Sequence, residues 1–256
     1  MEKNPFDQQD QTLPIVQEKL EDRHITMHNS LARGCHSLNL GQKRVISMAL
    51  AKLDSTFSKS VTSNNEVQVR LSAKEFSEIF EIDAETAYRQ IATASRSLLQ
   101  RIWRVSFSTP KGDEVLEGQW LSLCHYKKHS GIIEITFHRR VSAALFELKG
   151  QFSTYQLRQA SALRSIYTWR LFECLNSWKS TGVWRPTLDE FLFALEVPAS
   201  CKKDFFNLRK RVIEPAINEL KTKQNLDIEF QPKKLGRKLV GFEFRFRHKE
   251  QQSLDL

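Results

Sequence analysis

Arg185-Pro186-Thr187-Leu188-Asp189-Glu190-Phe191-Leu192-Phe193-Ala194-Leu195-Glu196-Val197 repeats a pattern that stands 115 residues earlier in Arg70-Leu71-Ser72-Ala73-Lys74-Glu75-Phe76-Ser77-Glu78-Ile79-Phe80-Glu81-Ile82. Arg, Glu, Phe and Glu recur in register, Ser72 answers Thr187, and both stretches end on a β-branched apolar residue. A short β-like run leads into each stretch, and Ser72 or Thr187 has a glutamate three residues on. That spacing predicts a capping box at the start of a short helix in both copies, the hydroxyl and the carboxylate each serving an orphan N–H.

The flanks repeat as well. An amphipathic helix is predicted before each copy, over 40–53 and 162–178, and a second helix after it, over 84–102 and 203–221. Alternating or apolar runs then close each unit as strands: 105–107, 116–125 and 131–138 in the first, 226–230 and 239–247 in the second. Helix, strand, helix, turn, helix and hairpin is the order of a winged helix-turn-helix. The expected fold is therefore α+β, with two tandem winged helix-turn-helix domains related by an internal repeat. Residues 27–147 and 148–249 form the domains, 1–26 a flexible polar arm without a secretory signal, and 250–256 a tail.

Charge is concentrated in the second unit. Between Lys202 and Lys249, 14 Lys and Arg face 6 acidic residues, so this segment holds +8 of the chain's net +9. A field so localised fits a polyanion, and nucleic acid is the leading partner, because Lys and Arg contacts to its phosphates release condensed counterions. No apolar run is long enough to span a membrane, which sets an acidic membrane aside.

On the 203–221 helix, Phe205, Leu208, Val212 and Ala216 share one face, while Lys203, Asn207, Lys210 and Glu214 share the other, flanked by Arg209 and Arg211. A helix held down by its apolar stripe can present Asn207 and the basic triplet to a major groove, where Arg or Lys donates to guanine and Asn pairs with adenine. Pro215 predicts a bend. Pro232-Lys233-Lys234-Leu235-Gly236-Arg237-Lys238 is expected to link two strands as a wing, with Lys233, Lys234, Arg237 and Lys238 along phosphates. In the first unit, Ala87, Ile91, Ala94 and Leu98 are expected inside and Thr86, Arg89, Thr93, Arg96 and Gln100 outside, with Thr86, Arg89, Thr93 and Arg96 as DNA contacts.

A Lys/Arg run on a helix is by itself a solvated face; its coincidence with a capped helix-turn-helix and a basic hairpin makes it a binding surface. Phe242, Phe244 and Phe246 share a strand face and read as core rather than as an RNA-stacking strand. The cysteines, Cys35, Cys124, Cys174 and Cys201, form no C-x-x-C pair and read as core residues of a cytoplasmic protein. No G-x-x-x-x-G-K-[ST] loop is present, and His24/His28 and His125/His129 lack an adjacent catalytic glutamate. The chain is expected not to be an enzyme and to need no cofactor or metal.

Three stretches together resemble the iteron-binding replication initiators of bacterial plasmids. Ser37-Leu38-Asn39-Leu40-Gly41-Gln42-Lys43-Arg44 is similar to that family's "S-L-x-x-x-Q-K-R" helix opening. Phe152 to Leu157 with Ser165 to Glu173 resembles the segment that starts the second domain, and Leu208 to Val212 with Lys233 to Arg237 resembles the basic recognition helix and "K-K-x-G-R" wing. The resemblance implies two winged-helix domains, each addressing its own major-groove segment, with the dimer interface in the first. It also implies monomers that bind directly repeated iterons and open the origin, dimers that repress the initiator's own gene at an operator inverted repeat, and recruitment of the host initiator ATPase and replicative helicase. A stand-alone transcriptional repressor and a tyrosine nickase using Tyr88, Tyr126, Tyr155 or Tyr167 are the alternatives.

Overall fold

Val67, Val69 and Leu71 are buried and Gln68 and Arg70 exposed along β2 (Val67–Ser72), the alternation of a strand with one wet face. The computed structural model describes residues 19–29, 38–53, 66–109, 111–139, 141 and 152–248. In it β2 pairs antiparallel with β6 (Ile132–Phe137), which pairs with β5 (Leu121–Lys127). Packed together with this sheet are α1 (Leu40–Leu53), α2 (Ala73–Phe80) and α3 (Ala84–Leu98). A separate hairpin, β3 (Ile102–Thr109) and β4 (Gly112–Gln119), extends from the same unit.

Ile25 and Met27 are buried on β1 (His24–His28), which pairs with β7 (Phe152–Gln156) and bonds Thr26 to Thr154 through their hydroxyls at 3.0 Å. The short helix α4 (Leu157–Ser161) and then α5 (Ile166–Asn176) follow. The second unit is a β8-β10-β9 sheet, from β8 (Val183–Trp184), β9 (Leu226–Leu235) and β10 (Lys238–His248). Its helices are α6 (Leu188–Ala194), α7 (Ala199–Lys202), α8 (Phe205–Leu208) and α9 (Glu214–Gln224). Its centre is aromatic: Phe191 meets Phe242 edge-on at 4.7 Å and Trp184 stacks on Phe244 at 5.4 Å. Gly241 lies at a β-bulge where an added Cβ would sit 2.5 Å from the Pro186 carbonyl, so only glycine allows β10 to approach the loop before α6 so closely.

Two winged-helix units of mixed helix and sheet thus follow one another, as the repeat predicted, and several boundaries differ for definable reasons. The capping box forms at Thr187, whose hydroxyl accepts from Glu190 N at 3.2 Å while Glu190 accepts from Thr187 N at 2.8 Å. It does not form at Ser72, because the Glu75 carboxylate pairs with Lys52 Nζ at 2.5 Å. The helix expected over 162–178 begins at Ile166, where the Ser165 hydroxyl caps Tyr167 N. The helix over 84–102 ends at Leu98, since Ile102 already pairs with Gln119. The run 116–125 divides at Trp120, whose buried indole marks the crossing from the β3-β4 hairpin to β5. Residues 19–26, assigned to the polar arm, instead form a 3₁₀ turn and most of β1, because burying Ile25 favours the pairing with β7. Residues 1–18, the tail from 249 onward, Cys35 and Ser37 lie outside the described residues.

Lys43 and Arg44 belong to an α1 that is buried nearly all round, at 4% and 6% exposure. Lys43 Nζ pairs with Glu173 on α5 at 2.7 Å, and Glu173 accepts from the Tyr155 hydroxyl at 2.6 Å. Arg44 lies over the Phe80 ring, and Gln42 reciprocally caps Asn39 at 2.9 Å while donating to the Ser97 hydroxyl. Lys43 of the first stretch of family resemblance thus joins Tyr155, Trp169 and Glu173 of the second in one buried polar network. No helix among the described residues is long and apolar enough to cross a membrane.

Candidate nucleic-acid interface

Asp204 opens the basic helix by accepting from Asn207 N at 3.2 Å, and these backbone bonds, first among the causes, hold its carboxyl below the usual carboxylate range. Helix then runs from α8 through α9, but residues Arg209–Ile213 between them adopt a π turn. Pro215 explains this. In regular helix its ring would clash with the carbonyl four residues back and leave it without a donor; widening the preceding turn relieves both. The expected bend is thus taken up as a local π turn, the kind of irregularity found at functional sites.

Leu208, Val212, Ile213, Ala216, Ile217 and Leu220 are buried, so the helix is anchored by the stripe its sequence predicted. Lys210 and Arg211 are exposed, whereas Lys203, expected on the same helix, is exposed in the turn that ends α7, one residue before the Asp204 cap. On this helix two of the nominated residues already have hydrogen-bond partners: Arg209 Nε donates to Glu214 at 2.7 Å, and half-buried Asn207 donates its side-chain amide to Asp204. Sequence reasoning passed over Phe206, which stands 67% exposed beside Lys210, the ammonium 5.6 Å from the ring centroid. The signal was available, since Phe205 and Phe206 are 100° apart and both cannot join the stripe of Leu208 and Val212.

The wing is longer than a linking loop. Residues 232–235 and Lys238 belong to the β9-β10 ladder, and only Gly236-Arg237 turns, Gly236 supplying φ +59°. Lys233, Lys234, Arg237 and Lys238 are all exposed. At the base of the wing, Glu243 on β10 accepts from Arg185 at 2.9 Å and Arg245 at 2.8 Å and pairs with Lys233 at 3.1 Å. The first unit repeats this device. Arg70 on β2 faces Glu134 on β6 and donates to it at 3.0 Å, Lys127 adds a bond at 2.7 Å, and His125 Nδ1 lies 3.3 Å away. The Arg70/Arg185 identity of the sequence repeat is thus a shared ion pair to a glutamate on the neighbouring strand.

Arg185, followed by Arg245 and Lys233, holds the Glu243 carboxyl down at about 2, against 4.5 for a free glutamate. Because the folded value is the lower, ionised Glu243 stabilises the fold above about pH 4.5, and this contribution fades as pH falls through about 2. Glu243→Gln is expected to flatten the pH dependence of unfolding between these limits; an acid-unfolding profile unchanged from wild type would show that the cluster is not held in solution.

In the first unit α3 buries Ala87, Ile91, Ala94 and Leu98, as its periodicity predicted, and exposes Arg89, Thr93 and Arg96, with Thr86 half-buried. Asp83 caps its start through Thr86 N at 2.8 Å. Arg89 and Thr93 line a groove of about 460 Å³ together with Asn39, Leu40 and Gly41 at the start of α1. Arg96 lies over the Tyr126 ring at 5.6 Å, and Arg89 donates to the Thr86 hydroxyl. Burial raises the Cys124 thiol to about 11, while Cys174 and Cys201 are buried. Among the described residues no group of three His, Cys, Asp or Glu is placed to hold a metal ion.

Comparison with known proteins agrees with this architecture. The crystal structure of Pi initiator protein in complex with iteron DNA superposes with a TM-score of 0.71 at 21% sequence identity, covering 90% of this chain and 99% of that one, which establishes a common fold. An uncharacterized 27.6 kDa protein of Escherichia coli is 26% identical over 214 residues, covering 79% of this chain and 86% of that protein. A replication initiation protein of Escherichia coli is 25% identical over 205 residues; the match takes in 78% of this chain but only 62% of the relative. The family described as initiator replication protein, WH1, matches residues 24–176, and its companion, initiator Rep protein, WH2, matches residues 187–246. With both halves matched in order, and with the winged-helix geometry in each, the chain belongs to the family of initiator replication proteins.

Proposed function

We propose that this chain starts replication of a plasmid by binding directly repeated origin sequences as a monomer, without catalysis of its own. The observation that carries the reading is the exposed pair Lys210 and Arg211 on a helix anchored by its apolar stripe, with exposed Lys203 just before its Asp204 cap, joined in one unit by the exposed wing cations Lys233, Lys234, Arg237 and Lys238. Such a helix suits base edges and such a wing suits phosphates. The first unit, with Thr86, Arg89, Thr93 and Arg96 on α3, addresses a second groove segment. In this reading residues 27–147 and 148–249 act as the two DNA-binding domains, and the energy to open the origin comes from bending several repeats and from the host initiator ATPase and replicative helicase. A dimer of the same chain represses its own gene at an inverted repeat.

The test is equilibrium binding, at about 150 mM salt, to a duplex carrying the gene's upstream repeats against a scrambled duplex, with stoichiometry recorded. A preference of about 10³-fold or more, with one protein per direct repeat, supports the reading; equal binding reduces the basic surface to a nonspecific anchor. Cutting of supercoiled origin DNA by the protein with a divalent metal would reinstate a nickase.

The wing separates into unequal members. Lys234→Ala should weaken specific and random duplexes alike and flatten the slope of log K against log salt by about 0.9. Lys233→Ala should flatten it less, because Glu243 already neutralises part of that ammonium's charge. Salt titrations that give equal slopes for Lys234→Ala and wild type would remove the wing from the phosphates.

A further inference from the structure

We propose that Phe206 reads a base: its ring packs on the C5-methyl group of a thymine in the major groove, beside the base that Lys210 contacts. The inference rests on the DNA-binding reading above and adds to it a residue that specifies sequence through an apolar contact.

Phe205 and Phe206 are neighbours with opposite fates. Phe205 turns inward and stacks over Phe242 at 6.1 Å, while Phe206 remains 67% exposed in the first turn of the helix that Asp204 caps. Among the described large apolar side chains only Leu235, at the wing tip, is more exposed. A lone exposed phenylalanine needs no explanation. This one, however, lies within five residues of Lys202, Lys203, Arg209, Lys210 and Arg211, a setting that repels most apolar protein partners by its charge and suits a polyanion.

The ring is also held in place. Lys210 Nζ lies 5.6 Å from its centroid, so a cation–π contact sets an ammonium and an aromatic face side by side. On the floor of the major groove the thymine methyl is the apolar feature, and Phe is among the side chains that meet it; guanine O6 and N7 are the acceptors an ammonium meets. Side by side, Phe206 and Lys210 match a thymine adjacent to a guanine.

The test starts from duplexes selected by the wild-type protein from a random pool. Each thymine of a selected duplex is then replaced in turn by deoxyuridine, which lacks only the methyl group, and affinity is measured by fluorescence anisotropy. Wild type should lose about fourfold at one thymine next to a guanine, the worth of one buried methyl. Phe206→Ala should bind the thymine duplex more weakly and show no further loss from deoxyuridine at that position. Phe206→Leu should keep the sensitivity, and thermal melts of both variants check folding. If Phe206→Ala still loses fourfold at that thymine, or if deoxyuridine is neutral everywhere for a wild type that selects sharply, the Phe206 contact is wrong while the DNA reading stands. If wild type selects no sequence at all, both fall together.

Discussion

Glu173→Ala should lower the free energy of unfolding by about 3–5 kcal/mol, the cost of leaving a buried charge without its partner. Lys43 and Glu173 side chains are 5% and 1% exposed, and their 2.7 Å pair joins α1 to α5 across the body of the protein. The variant strands the Lys43 ammonium and takes the acceptor from Tyr155, whose hydroxyl burial and Glu173 hold well above its ordinary value, so that it remains a donor. Trp169 Nε1 donates to the same hydroxyl at 3.3 Å. Combining Glu173→Gln with Lys43→Met removes both charges and keeps an acceptor for Tyr155, and should recover at least half the loss. Thermal unfolding reads this out as a fall of about 10 °C or more for the single variant. A loss under about 1 kcal/mol would mean that water reaches the pair.

Lys210→Ala should cost about 1–3 kcal/mol on the cognate duplex, roughly 5- to 150-fold in affinity, and should relax selection at one position. Its ammonium is exposed and directed alongside Phe206. Arg211→Ala should fall in the same range. Arg209→Ala should cost less, because the 2.7 Å bond to Glu214 already engages that guanidinium. Binding of each variant to selected and random duplexes decides the matter: if Lys210→Ala loses the same factor on both, the residue touches phosphate and reads no base.

Much of this molecule was legible in its residues because local chemistry and fold agree there. The Thr187–Glu190 box, the buried stripe of α3, the anchoring stripe beneath Lys210 and the turn at Gly236 each need only neighbours in sequence. What escaped depends on distant partners. Ser72 and Glu75 have the spacing of a capping box, yet Lys52 on α1 takes the carboxylate. Trp120 sits inside the single strand expected over 116–125, yet the core takes its ring and the strand breaks there. Lys43 and Arg44 look like the wet edge of an amphipathic helix, and only Glu173 and Phe80, far along the chain or on another element, make their burial tolerable. Asn207 shows the same limit within the candidate site, since its amide is turned to Asp204 and must exchange that bond for any adenine.

In the proposed complex two helical faces of one chain, α3 and the helix through Lys210, read one duplex in separate major-groove segments. The decisive experiment is methylation interference at guanine N7 on a single selected repeat. Two clusters of interfering guanines about one helical turn, 10–10.5 base pairs, apart on one face of the duplex are expected, with the cluster at the second unit lost in Lys210→Ala. A single cluster, or interference that survives the substitution unchanged, would contradict it.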